Sequence, residues 1–259
     1  LIDQQVAVEA ATKDNLHRTP EVIAALEAAV AANWDRQVAW LQTLVRFPSV
    51  RGKEGPCQDW LSREMAARGW SVDRYTLSEV QMDHLPGYSP VMDTDYQQAF
   101  QVVGTVRAPE QKGKSLIIQG HVDVVPPGPE AMWQFPPFDP VITGEWMNGR
   151  GAHDMKQGVS AMFFAMDALR TAGLAPASDV YIQTVTEEEC TGNGALAALL
   201  RGYRADAVII PEPEENMLVR ANVGVLWFKV RVQGHPTHTR EMANGFNAID
   251  AAYAAIEAL

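Results

Sequence analysis

Hydrophobic positions along this chain switch repeatedly between a helical period and a strand period. Thr19-Pro20-Glu21 reads as an N-cap, a first-turn proline and an acidic first turn. A long helix therefore opens there and runs towards Arg46, where Phe47-Pro48-Ser49 ends it. A second helix is expected from Gly55 to Arg68, with Gly69 as the residue beyond its end. Candidate strands follow at Val72–Leu77, Gln101–Arg107 and Ser115–Gln119, the last a compact apolar run suited to a buried strand. Met155–Ala172 reads as a helix closed by Gly173, Asp179–Val185 as a strand, Gly192–Arg201 as a helix and Ala207–Ile210 as a short buried strand. This alternation predicts an α/β fold with a mostly parallel central sheet flanked by helices.

The pattern differs at both ends. Residues 1–18 are polar and aperiodic, which predicts an extended arm. After Pro213, Val223–Val232 alternates over ten residues, as a long strand with one wet face would, and Asn247–Leu259 reads as an alanine-rich helix. The boundaries expected are an arm over 1–18, a main domain over 19–217 and the start of another over 218–259. A domain seldom ends on a helix just begun, so the chain is expected to be part of something longer.

Composition narrows the classes. With 259 residues, 47% of them hydrophobic, the chain can bury a large core in one domain or two. A formal charge of -11, a pI near 5.0 and the lack of a basic stripe would repel phosphate backbones and anionic lipid. Neither nucleic acid nor membrane is an expected partner, and no run of 18 apolar residues offers a bilayer span. Cys57 and Cys190 stand in unrelated surroundings, which suggests no disulfide framework and a cytoplasmic setting. The N-terminus lacks the basic-then-apolar order of a signal peptide.

Four places follow an apolar strand or open a helix with chemistry in hand. In Gly120-His121-Val122-Asp123 the period of two puts His121 and Asp123 on one side. The carboxylate can then accept one imidazole N–H and leave the other nitrogen free for a metal. The loop Gly149-Arg150-Gly151-Ala152-His153-Asp154 delivers Asp154 to a helix start. Thr186-Glu187-Glu188-Glu189 and Pro211-Glu212-Pro213 each follow a strand. Taken singly, each is better read as a solvated turn or cap. Taken together they gather past the carboxyl ends of the strands, where an open α/β sheet has its crevice. One histidine and several carboxylates would repel one another there without cations between them. Imidazole and carboxylate donors suit zinc, cobalt or manganese.

The strings GHVDVVP, GRGAHDMKQG, TEEECTGNG and PEP, in this order and spacing, resemble the M20 family of metallopeptidases and deacylases. Acetylornithine deacetylase and succinyl-diaminopimelate desuccinylase are members. The resemblance implies a zinc exopeptidase-like catalytic domain over 19–217, with its C-terminal part missing, and the start of a smaller α/β lid and dimerisation domain over 218–259. It also implies two divalent ions, zinc first, with cobalt or manganese as alternatives. His121 would ligate one ion, Asp154 bridge both, Glu189 ligate the second and Glu212 the first. Glu188 would be the general base for a metal-bound water, Asp123 the orienter of His121, and the Asp154–Met155 peptide bond cis. A late histidine that completes the family's second site is not in this sequence, so a weak second site is expected.

In Gly234-His235-Pro236-Thr237-His238, glycine-plus-four spacing resembles a lid signature and favours His238 over His235 as the oxyanion contact. His153 departs from many relatives, and its role stays open between lining the pocket and supporting a ligand. The implied reaction is hydrolysis of an amide in an N-acyl amino acid or peptide-like small molecule, by a protein that dimerises through the lid. A carboxypeptidase or dipeptidase, a deformylase of a heterocyclic amine and a non-catalytic metal-binding homologue are the alternatives. No Gly-x-Gly-x-x-Gly or Walker-type loop supports a nucleotide-binding reading.

Overall fold

A computed structural model describes residues 19–89, 94–214, 217, 220, 224 and 228–258, so the expected N-terminal arm lies outside the described residues. The Thr19 hydroxyl accepts the Val22 N–H at 3.4 Å and opens α1 (Pro20–Val45). Helix α2 (Gly55–Ala67) ends before Gly69, whose φ of 79° turns the chain into the first strand. Then come β1 (Ser71–Thr76), β2 (Phe100–Val106), β3 (Leu116–His121), a hairpin of β4 (Val141–Thr143) and β5 (Trp146–Asn148), and α3 (Gln157–Thr171). Strand β6 (Val180–Val185), helix α4 (Asn193–Leu200) and strand β7 (Ala207–Ile209) follow. The hairpin has no counterpart in the sequence reading, because two three-residue strands are too short to show a period.

The central sheet has five strands in the order β1-β2-β6-β3-β7. β2 pairs antiparallel with β1 and β6, while β3 pairs parallel with β6 and β7. Four strands thus run one way and β2 alone opposes them. Alternation along each strand feeds two cores. Trp40, Leu44, Leu61, Met65, Val159, Met162 and Phe163 from the first three helices pack on Val102, Ile118 and Ile182. On the opposite face Val103 and Tyr181 join Tyr75 and the α4 residue Ala197. Helices therefore flank the sheet on both sides, the arrangement the sequence implied. No helix among the described residues is long and apolar enough to cross a membrane.

The chain divides into two compact units after Met217. In the second, the Asn247 side chain accepts the Ile249 N–H at 2.9 Å and opens α5 (Ala248–Glu257). The strand expected over Val223–Val232 is not found where the chain can be described. Residues 228–232 form no strand, and residues 223 and 225–227 lie outside the described residues. Alternation supplies only the side-chain pattern of a strand. The ladder needs a partner backbone, and none bonds to residues 228–232 among the described residues.

Candidate metal centre

Parallel pairing of β6, β3 and β7 brings three strand ends side by side, with β3 in the middle. His121 is the last residue of β3 and only 1% exposed. Glu188 and Glu189 leave β6, Glu212 leaves β7, and Asp154 sits in a widened turn, Ala152–Lys156, ahead of α3. The Asp154–Met155 peptide bond is cis. Two glycines allow these pieces to approach. A methyl group on Gly158 would sit 2.3 Å from the Pro211 carbonyl oxygen, and one on Gly194 2.1 Å from that of Thr186.

The side chains converge on one ring nitrogen. His121 Nε2 lies 3.1 Å from Asp154 Oδ1, 3.6 Å from Glu212 Oε1 and 3.7 Å from Glu188 Oε2. Ligand atoms of His121, Asp154 and Glu189 all fall within 4.8 Å of one another. Asp123 does more than face the histidine. Its backbone carbonyl meets His121 Nδ1 at 2.8 Å, while its carboxylate stands 3.5 Å away. That carboxylate instead accepts the backbone N–H groups of Glu188 at 3.3 Å and Glu189 at 3.1 Å. Asp123 therefore fixes both the imidazole and the glutamate turn.

Charge follows from this crowding. Burial works to lower the His121 pKa, but the hydrogen bonds its ring donates to Asp123 and Asp154 and the charges of Asp123 and Glu212 outweigh it and push it up to about 11. Contact with His121 holds Asp154 below the usual carboxylate range. Burial, reinforced by neighbouring carboxylates such as Asp154, pushes Glu189 and Glu212 up to about 7, and burial also raises Glu188. Protons thus balance a surplus of negative charge. A divalent cation held by the same nitrogen and oxygen atoms would displace them, so the donor set fits one.

Three further histidines, His153, His238 and His235, are exposed. His153 Nδ1 faces Gln157 Nε2 at 3.2 Å. In the second unit, His238 Nδ1 accepts the Arg240 N–H at 3.2 Å, and the His235 backbone pairs with Phe246. Nothing in the sequence marks Glu54, Lys156 or Glu187 for burial. All three are buried, and Lys156 Nζ donates to the Phe47 carbonyl at 2.8 Å. A charged residue that folds inwards looks in sequence like one that stays wet.

The model of peptidase family M20/M25/M40 matches residues 117–258, more than half of the chain. The chain belongs to this family. Enzymes of the M20 family are metal-dependent, and His121, Asp154 and Glu189 form a group that could hold a metal ion in this member. Among curated relatives, N-formyl-4-amino-5-aminomethyl-2-methylpyrimidine deformylase of Bacillus subtilis (strain 168) is 29% identical over 81% of this chain and 46% of its own. Succinyl-diaminopimelate desuccinylase of Methylobacterium sp. (strain 4-46) is 34% identical over 68% of this chain and 42% of its own. The chain spans about half the length of the curated relatives it matches. Human carnosine dipeptidase 1 shares the fold, with a TM-score of 0.57 and 18% identity over 72% of this chain and 40% of its own.

Proposed function

We propose that this M20 chain carries most of the metal centre of a deacylase, a hydrolase that removes the acyl group from a small N-acyl amino acid or related amine. The observation that carries this reading is the ring of Asp154, Glu188 and Glu212 around His121 Nε2, with Glu189 in the same cluster. His121, Asp154, Glu189 and Glu212 would hold two divalent ions, zinc being the first choice for imidazole and carboxylate donors. Such ions supply Lewis acidity and a water of lowered pKa.

The chain's own groups do the rest. Glu188, raised by burial and still open to the cleft, accepts the proton of the attacking water and hands it to the leaving amine. Asp123 keeps the imidazole and the glutamate turn in place through its carbonyl and its carboxylate. His238 as the oxyanion contact, and dimerisation through the second unit, rest on the family resemblance. A reducing, cytoplasmic setting is supported by the free thiols of Cys57 and Cys190.

Glutamate rather than aspartate at position 212 supports deacylase over dipeptidase chemistry, by resemblance to the family. The similarity to a deformylase keeps removal of a formyl group from a heterocyclic amine as the second reading. The test presents zinc-loaded protein of natural full length with N-succinyl, N-acetyl and N-formyl amines and a dipeptide, reading release of free amine. Release from the acyl amines ahead of the dipeptide is expected. Dipeptide cleavage alone would overturn the deacylase reading, and no cleavage of any amide by metal-loaded protein would overturn hydrolysis.

A further inference from the structure

Glu187, Glu188 and Glu189 are adjacent, yet only the last two face the His121 cluster. Glu187 turns the other way and is 1% exposed. Its φ is 70°, the only left-handed value at a non-glycine position among the described residues. Glutamate is poorly suited to that conformation, where glycine is at ease and asparagine or aspartate tolerated. It is also poorly suited to burial unless its carboxylate is bonded.

One carboxylate oxygen, Oε2, is hydrogen-bonded at close range, while Oε1 has no hydrogen-bond partner among the described residues. The hydroxyls of Tyr96 and Thr191 both donate to Glu187 Oε2, at 2.9 and 2.8 Å, and Arg51 Nε lies 3.6 Å from Oε1. The Glu187 carbonyl accepts the N–H groups of Thr191 and Gly192, closing the turn. Tyr96 is itself fixed, because Asn193 Nδ2 donates to its hydroxyl at 2.7 Å and to the Ser89 carbonyl at 2.6 Å. From the opposite side, the Asp123 carboxylate holds the N–H groups of Glu188 and Glu189. The turn is gripped between two buried carboxylates.

We propose that Glu187 is a positioning residue, whose carboxylate, held by Tyr96 and Thr191, sets the turn that presents Glu188 and Glu189 to the metal. Glu187 touches neither metal nor substrate. The inference rests on the metal-centre reading above. A backbone that needed only the left-handed turn would be served at least as well by glycine. What a glycine lacks is the anchor.

The test uses Glu187→Gly, Glu187→Gln and Tyr96→Phe, with zinc affinity measured by chelator competition and unfolding of the metal-free protein followed in parallel. Glu187→Gly, which suits the backbone and removes the anchor, is expected to weaken zinc binding about tenfold or more. Glu187→Gln keeps an acceptor for both hydroxyls and should restore affinity to within about threefold of the parent. Tyr96→Phe should fall between them. If Glu187→Gly lowers the metal-free melting temperature but binds zinc like the parent, Glu187 is a structural anchor only and the proposal is overturned. Should Glu187→Gly not fold, Tyr96→Phe decides, and parental zinc affinity in that variant overturns it. Absence of zinc binding in the parent would instead sink the metal-centre reading, and this inference with it.

Discussion

Glu188 is 53% exposed by its side chain and 3.7 Å from His121 Nε2, whereas Glu54 is 2% exposed and one of its oxygens has no hydrogen-bond partner among the described residues. Environment separates the two carboxyls more than chemistry does. Replacing Glu188 with glutamine keeps its shape and removes its capacity to take a proton. Turnover should fall about 10²–10⁴-fold while zinc content, read by elemental analysis, stays at the parental level. Activity within threefold of the parent would remove Glu188 from the mechanism. Glu54 carries no such role here, and burial pushes it up to about 7 from 4.5. A raised pKa favours the protonated form in the folded state. Its stabilising effect is therefore complete below pH 4.5 and lost as pH rises through 7. Glu54→Gln should raise the melting temperature at pH 8 and change it far less at pH 5, with an upper bound of about 3 kcal/mol from the size of the shift. An equal effect at both pH values would show that Glu54 is not buried neutral.

Strands and helices reach the site only because small residues let them touch. Gly158, one residue into α3, packs on the Pro211 carbonyl beside Glu212, and Gly194, near the start of α4, packs on the Thr186 carbonyl ahead of the glutamate turn. A methyl group at 158 has no room, since its nearest neighbours are backbone oxygen and Met155 Cε at 3.0 Å. Gly158→Ala should destabilise the metal-free protein by about 1–3 kcal/mol, the usual result of overpacking. It should also weaken zinc binding, because the strand exit that carries Glu212 must shift. Denaturant unfolding and zinc titration read the two effects separately. Unchanged unfolding would mean that the start of α3 can withdraw from Pro211.

At the scale of the whole molecule, metal binding and folding are linked. A cation that binds only the folded chain stabilises it by RT ln(1 + [L]/Kd), about 2.7 kcal/mol at a hundred times Kd. Zinc should therefore raise the melting temperature, excess chelator should reverse the rise, and Asp154→Asn should abolish it. The pH dependence has a definite sign. His121 is raised to about 11 from 6.5, so its contact with the carboxylates stabilises the metal-free protein fully below pH 6.5, and that contribution is lost as pH rises through 11. On the proposed ligand set, zinc would displace the same proton, and those on Glu189 and Glu212 below about pH 7. The zinc-induced rise in melting temperature should accordingly be larger at pH 8 than at pH 6. A larger rise at pH 6 would contradict displacement of protons from these groups.

Periodicity by itself determined the two helices Pro20–Val45 and Gly55–Ala67, the order of the helices and of the central-sheet strands through Ile209 though not the β4–β5 hairpin, and the places where chemistry could sit. These depend on contacts near in sequence: Thr19 on Val22, a proline after a helix start, an apolar run between turns. Four motifs, each ordinary alone, were legible as a set because strand ends of an α/β sheet share one edge. Tertiary structure decided what each carboxylate does. Nothing in Glu187-Glu188-Glu189 says which residue turns inwards; Tyr96, 91 residues away in sequence, decides that by bonding to the first. Asp123 was expected to meet His121 with its carboxylate, but the turn after β6 takes that carboxylate and leaves the carbonyl for the imidazole. In the described residues 228–232 the alternation forms no strand for a related reason, because a strand is a property of two backbones and the sequence displays one. Local pattern is set by a residue and its neighbours along the chain. A charged group's role is set by whatever the fold brings against it.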